Sequence, residues 1–135
     1  MALTHLLDTN IVSYFVRGNY PAVREHILHA RRDSLAVSAV TEAGLLYWVL
    51  CRPGSARVRT GVEDFLMRVP SLAWHTGAAE SYARLRDTLK RKGIVLSTVD
   101  LLIAAHALSL GLTLVTHDSA FSFVDGLKTE DWTAP

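Results

Sequence analysis

Residues 97–118 read STVDLLIAAHALSLGLTLVTHD, and the order of their apolar and polar positions decides the architecture. The run from Leu101 to Leu110 is almost entirely apolar and ends near Gly111, so it reads as a buried helix rather than an amphipathic one. LTLVTHD follows at once as the clearest strand of the chain. A carboxylate stands just before the helix, Asp100, and another just after the strand, Asp118. Taking an ionised carboxylate out of water without a partner costs several kcal/mol or more, so Asp100 at the head of a buried helix requires a reason.

Outward from this stretch, strand-like and helix-like segments alternate. LTHLLD is a short apolar segment of strand size, and TNIVSYFVRG continues it as a helix stopped by Gly18. AVREHILHARRD alternates apolar and charged positions at helical spacing, and SLAVSAV is a second strand of small and β-branched residues. TEAGLLYWVLCR is a helix that must stop before Pro53 and Gly54, and ARVRTGVEDFLMRV is an amphipathic helix closed by Pro70. SLAWHT is a short strand, GAAESYARLRDTLKRKG a long helix with a basic end, and GLKTEDW a candidate edge strand. Alternation of this kind predicts one domain over residues 1–135, an α/β/α three-layer sandwich around a mainly parallel sheet. Ligands of such folds bind beyond the carboxyl ends of the strands.

Composition narrows the class. With 135 residues, half of them hydrophobic and a fifth charged, the chain suits a single folded domain. No apolar run reaches the roughly 18 residues needed to span a bilayer, and MALTHLLDTN lacks the features of an export signal. Cys51 is the only cysteine, which excludes an internal disulfide; a cytoplasmic location is the expectation. The net charge of +1 leaves a nucleic-acid partner to the distribution of charges rather than their sum.

Of the 13 acidic residues, most sit in polar surroundings or on amphipathic helices and read as solvated surface charge. Asp8, Glu42, Asp100 and Asp118 differ, because each lies where an apolar segment ends or a helix begins. Each has an ordinary local use: Asp8 and Asp118 as caps or turn formers, Glu42 as first-turn negative charge, Asp100 in a capping box with Ser97. Together they point to one rim. Glu42 is in helical register with Leu45, Leu46 and Val49, Asp100 with Ile103, Ala104 and Ala107, and Asp8 and Asp118 terminate two strands expected at the sheet centre. Two carboxylates about 4 Å apart repel by roughly 4 kcal/mol at an effective dielectric of 20. A hard divalent cation removes that repulsion, and all-oxygen ligation favours Mg²⁺ or Mn²⁺.

LLDTN, SAVTEAG, DLLIAAHALSLGLTLVTHDSAF and GLKTEDW, in this order and spacing, resemble the PIN-domain ribonucleases, and more narrowly the VapC-type toxins of toxin–antitoxin pairs. The resemblance covers essentially the whole chain. It implies a metal-dependent endoribonuclease, with transfer RNA among the candidate substrates, whose acidic quartet falls on Asp8, Glu42, Asp100 and Asp118. It further implies Asn10 and Thr116 as supporting residues, a homodimer, and a VapB-like antitoxin as partner. In the mechanism so implied, Asp8, Asp100 and Asp118 hold Mg²⁺ or Mn²⁺, Glu42 acts through water or on a second ion, and a metal-activated water cleaves the phosphodiester.

RNA requires cations beside the acids, and Arg17, Arg52 and the basic group of Arg84, Arg86, Lys90, Arg91 and Lys92 are the candidates. Tyr14 and Phe15 are candidates for base stacking, with core packing the competing use. The helices carrying LLYWVL and VEDFLM hold more large apolar side chains than one buried stripe needs. Leu46, Trp48, Val49, Leu50, Phe65, Leu66 and Met67 are therefore candidate antitoxin or dimer contacts. A haloacid-dehalogenase-like phosphatase would need an Asp where Asn10 stands, and a dinucleotide-binding domain a glycine-rich turn after the first strand. The remaining alternative is a PIN-fold RNA-binding or RNA-processing factor outside a toxin–antitoxin pair.

Overall fold

The structure, a computed structural model, describes residues 3–135; Met1 and Ala2 lie outside the described residues. In chain order the elements are β1 (His5–Leu7), α1 (Thr9–Arg17), α2 (Pro21–His29), β2 (Leu35–Ser38), α3 (Ala39–Cys51), α4 (Ala56–Arg68), β3 (Ser71–Leu72), α5 (Thr76–Arg91), α6 (Thr98–Leu110), β4 (Thr113–Val115) and β5 (Thr129–Glu130), with a 3₁₀ turn at Ser119–Phe123 before β5. The strands form one sheet in the order β3-β2-β1-β4-β5, and every pairing is parallel.

Side-chain alternation along the central strands divides the core in two. Leu7, Val37 and Val115 face one layer with Ile11, Val12, Val23, Ile27, Leu45, Val62 and Phe65 from α1–α4. Their neighbours Leu6, Ala36 and Leu114 face the other layer, with Leu85 and Leu89 of α5 and Leu101, Ile103, Ala104 and Ala107 of α6. The three-layer sandwich read from the sequence is the one observed, and its sheet is parallel at every described pairing. Helix α6 is buried over most of its circumference, which explains its lack of a polar face. Within that run His106 is fully buried and shares a 2.8 Å hydrogen bond with the hydroxyl of Ser38. Gly18 and Gly111, with φ of 80° and 66°, close α1 and α6 at the positions where a left-handed residue is needed.

The apolar excess of α3 and α4 resolves into two sets. Leu46, Leu50 and Met67 are exposed, Leu50 by 75% and Met67 by 86%. Trp48, Val49 and Leu66 are half-buried against the core beneath. Phe65 corrects the sequence expectation: it is 1% exposed, with its ring 5.8 Å from that of Phe15, because α4 turns this position under α1. It is a core residue and is unavailable to a partner. Tyr14 and Phe15, the two proposed stacking residues, are both half-buried against the same core. Among the described residues no helix is long and apolar enough to cross a membrane.

Candidate active site

Because the sheet is parallel, all its carboxyl ends open on one rim, where helices α1 and α3 begin directly after β1 and β2. Asp8 follows the last residue of β1 and extends the ladder, its N–H donating to Val115 O at 2.9 Å. Its side chain caps α1, Oδ1 accepting the Thr9 N–H at 2.8 Å, while Oδ2 accepts the Thr116 hydroxyl at 2.9 Å. The same Thr116 oxygen accepts the backbone N–H of Asp118 at 3.1 Å. One threonine at the end of β4 thus ties together the acids that end the two neighbouring central strands. Asp118 in turn caps the 3₁₀ turn through Oδ1 and the Ala120 N–H. Asp100 sits in the first turn of α6, its N–H held by the cap Ser97 at 3.1 Å.

The local capping uses expected from sequence are real at Asp8 and Asp118, and at Asp100 half of the capping box forms. They do not disperse the charges. Asp8 is only 4% exposed, and its pKa is pushed up to about 6, chiefly by burial. The hydroxyl of Thr116 and the N–H of Thr9 oppose that rise, whereas the negative charges of Asp100 and Asp118 add to it. Asp100 is likewise raised above the usual carboxylate range, first by burial and then, against the favourable Ser97 hydroxyl, by Asp118. Each member of this trio therefore interacts with the other two.

Beside the trio opens a cleft of about 600 Å³, lined by Asp8, Asn10 and Asp100 between the apolar walls of Val40, Ala43 and Val99. The hydroxyls of Thr9 and Thr41, 3.0 Å apart, join the first turns of α1 and α3 there. Asn10 lines the cleft and Thr116 links its acids, so both supporting residues read from sequence reach the site. Glu42 stands apart from the other three. Although it lies in the first turn of α3, its Oε1 accepts the Ser71 hydroxyl of β3 at 2.8 Å.

Among the described residues no three His, Cys, Asp or Glu side chains close on a single point as a finished coordination sphere. The chemistry of the donor set nonetheless fits a hard divalent cation: oxygen ligands only, mutually repelling, with the innermost carboxylate holding its proton more tightly than a free one.

The basic candidates divide by position. Arg86 and Lys90, at the end of α5, share a concavity with Thr98 and Leu101 in the first turn of α6, the turn that carries Asp100. Arg91 pairs with Asp87 at 3.1 Å and Lys92 with Asp125 at 2.6 Å. Arg17 lies over the Trp48 ring at 5.1 Å. Arg52 caps the far end of α3, about 20 Å of helix from the acidic rim for 13 residues at 1.5 Å each. Tyr20 and the placement of His117 escaped the sequence reading. Tyr20 precedes Pro21 in an ordinary-looking NYP turn, and only its contacts mark it out.

The sequence pattern of the PIN domain matches residues 5–127. The chain is 33% identical over 131 residues to the tRNA(fMet)-specific endonuclease VapC of Shigella flexneri, covering 96% of this chain and 98% of that protein. It is 29% identical over 132 residues to ribonuclease VapC2 of Rickettsia felis, with the same coverage. Among solved structures, VapBC2 of Rickettsia felis bound to a promoter DNA fragment superposes with a TM-score of 0.87 at 28% identity, covering 98% of this chain and 99% of that one. DNA-bound VapBC of Salmonella typhimurium gives 0.85 at 30% identity, covering 96% and 98%. With the pattern spanning most of its length and its acids gathered at the carboxyl rim of a matching sheet, the chain belongs to the PIN-domain family, in its VapC-type group.

Proposed function

We propose that this chain is the toxin of a toxin–antitoxin pair, an endoribonuclease that hydrolyses RNA phosphodiesters at the Asp8–Asp100–Asp118 site with Mg²⁺ or Mn²⁺. The observation that carries the reading is the link Asp8–Thr116–Asp118, which ties the Asp8 carboxylate to the backbone of Asp118 and so keeps the two acids at one rim. The naming of relatives as ribonucleases, and of solved neighbours as VapBC complexes, supports it over a free-standing RNA-processing factor.

Asp8, Asp100 and Asp118 are the residues to hold the cation, with Glu42 acting through water while Ser71 retains its carboxylate. A divalent ion bound there supplies Lewis acidity toward a phosphate oxygen and eases proton loss from the attacking water. Thr116 orients Asp8 and favours its ionised form by donating to Oδ2. The amino ends of α1, α3 and α6 lie at the residues that line the cleft and bring partial positive charge toward a phosphate. Arg86 and Lys90 hold flanking phosphates. Ser97 has its hydroxyl committed to Asp100, and Cys51 is exposed at the end of α3, so neither serves as a nucleophile. The exposed Leu46, Leu50 and Met67 are the apolar contacts for a VapB-like antitoxin or a second copy of the chain.

Purified chain incubated with total RNA tests the reading. Cleavage with Mg²⁺ or Mn²⁺, its loss in chelator, and 5′-phosphate products are expected; cyclic-phosphate ends, or equal cleavage by Asp8→Asn and wild type, would overturn it.

A further inference from the structure

Three aromatic rings meet on the α1–α2 side of the acids. Tyr14 of α1 lies 4.8 Å from Tyr20, centroid to centroid, at 60°, and Tyr20 lies 5.6 Å from His117 at 51°. Tyr14 and His117 complete the triangle at 6.4 Å and 74°. His117 is the residue between Thr116 and Asp118, so the group is tied by the chain itself to the carboxylate link. Its Nδ1 shares hydrogen bonds with Asp131 at 2.9 Å and with the Thr133 hydroxyl at 3.1 Å, which fix the ring. Tyr14 is within electrostatic reach of Asp8: after burial and Tyr20, the Asp8 charge is the next influence raising its hydroxyl pKa.

Tyr20 is the unusual member. It is the one described non-glycine residue with positive φ, 52°, and it precedes Pro21 at the start of α2. Such backbone costs of order 1 kcal/mol for a side chain of this kind and persists where its surroundings hold it. Tyr20 nevertheless leaves 40% of its surface to solvent. A ring braced by edge-on and tilted contacts with two others, with two-fifths of its surface open to solvent and its neighbour His117 one residue from Asp118, is suited to stacking on a planar ligand.

We infer that Tyr20, backed by Tyr14 and His117, is a stacking platform for an unpaired nucleobase next to the cleaved phosphodiester. This inference rests on the endoribonuclease reading and narrows it, because a stacked base must first be free of its own duplex partner. The substrate class is therefore a single-stranded or looped RNA segment. Stacking tolerates any base, so the platform selects for strand state more than for sequence.

The test uses the full chain in chelator, with a short single-stranded RNA carrying a fluorescent adenine analogue moved position by position along it. Wild type is compared with Tyr20→Phe, which keeps an aromatic face, and Tyr20→Leu, which keeps an apolar side chain without one. Thermal melting reports folding in each case. Wild type and Tyr20→Phe are expected to quench the analogue at one position, and Tyr20→Leu to lose that quench. In metal-supported cleavage, Tyr20→Leu is expected to raise KM about tenfold with kcat changed by less than about twofold, the size expected for one lost base stack. Equal quenching by Tyr20→Leu and wild type, or no quenched position in wild type, would overturn the platform, even if wild type cleaves RNA. Quenching that depends on the aromatic ring in a chain that cleaves no RNA would retain the platform and remove the nuclease reading.

Discussion

The hydroxyl of Thr116 donates to Asp8 Oδ2 at 2.9 Å and, through the same oxygen, accepts the N–H of Asp118 at 3.1 Å. A single side chain at the end of β4 thereby couples the position of the most buried acid to the backbone of its neighbour. Thr116→Val keeps the shape and removes both bonds. Cleavage is expected to fall by roughly 10- to 100-fold, as for other residues that orient metal-binding carboxylates, while Thr116→Ser retains most of the rate. Because the hydroxyl lowers the Asp8 pKa, the acid limb of the rate profile should move to higher pH in the valine variant. Initial rates across pH, with melting curves as the folding control, measure both effects.

Asp8 makes the metal-free protein pH-sensitive in a direction opposite to that of a salt-bridged carboxylate. Its pKa rises from 3.8 to about 6 on folding, so between those values the folded state binds more proton than the unfolded state. The contribution of this group to stability then falls as pH rises through the interval from 3.8 to about 6, and levels off above it. The loss attributable to this group is at most about 3 kcal/mol, from roughly two pH units at 1.36 kcal/mol each. Asp8→Asn is expected to flatten the dependence and to raise the melting temperature at neutral pH while abolishing cleavage. Urea unfolding in chelator from pH 4 to pH 7 checks the sign.

Glu42 and Ser71 separate charge from placement. Glu42→Gln preserves an acceptor for the Ser71 hydroxyl, 2.8 Å away in the wild type, and removes only the negative charge. If the charge acts on the cation through water, turnover should drop by about tenfold or more with melting unchanged. Ser71→Ala frees the carboxylate and is expected to leave turnover much closer to wild type. Parallel single-turnover measurements distinguish the two.

Arg86 and Lys90 flank the turn carrying Asp100, whereas Arg52 lies at the opposite end of α3. Neutralising Arg86 or Lys90 with Gln should weaken RNA binding and reduce the slope of log affinity against log salt by about one per lost phosphate contact. Arg52→Gln should leave that slope unchanged. Binding in chelator at several salt concentrations provides the comparison.

The layers were readable from the sequence because helical and strand periodicities differ and because α6 has no polar face to expose. The trio of aspartates was readable for a related reason: each is the first polar residue beyond, or just before, an apolar element in a parallel sheet. What escaped depended on contacts between distant residues. The diversion of Glu42 follows from Ser71, 29 positions later, on a strand of only two residues. The burial of Phe65 follows from α4 passing under α1, although its helix carries Met67, almost fully exposed, two residues on. SLAWHT and GLKTEDW pair over just Ser71–Leu72 and Thr129–Glu130, since edge strands need satisfy only one neighbour. Tyr20 gave no local sign, because a left-handed tyrosine before proline is set by its ring contacts rather than by propensity.

Mn²⁺ titration by calorimetry, of wild type against Asp100→Asn and Asp118→Asn, addresses the shared pocket most directly. Asp8, Asp100 and Asp118 acting as one site predict saturable binding in wild type, with proton release near pH 6, and affinity weakened at least about tenfold in each variant, in parallel with RNA cleavage. Unchanged Mn²⁺ affinity in both variants, or cleavage that persists undiminished in chelator, would contradict it.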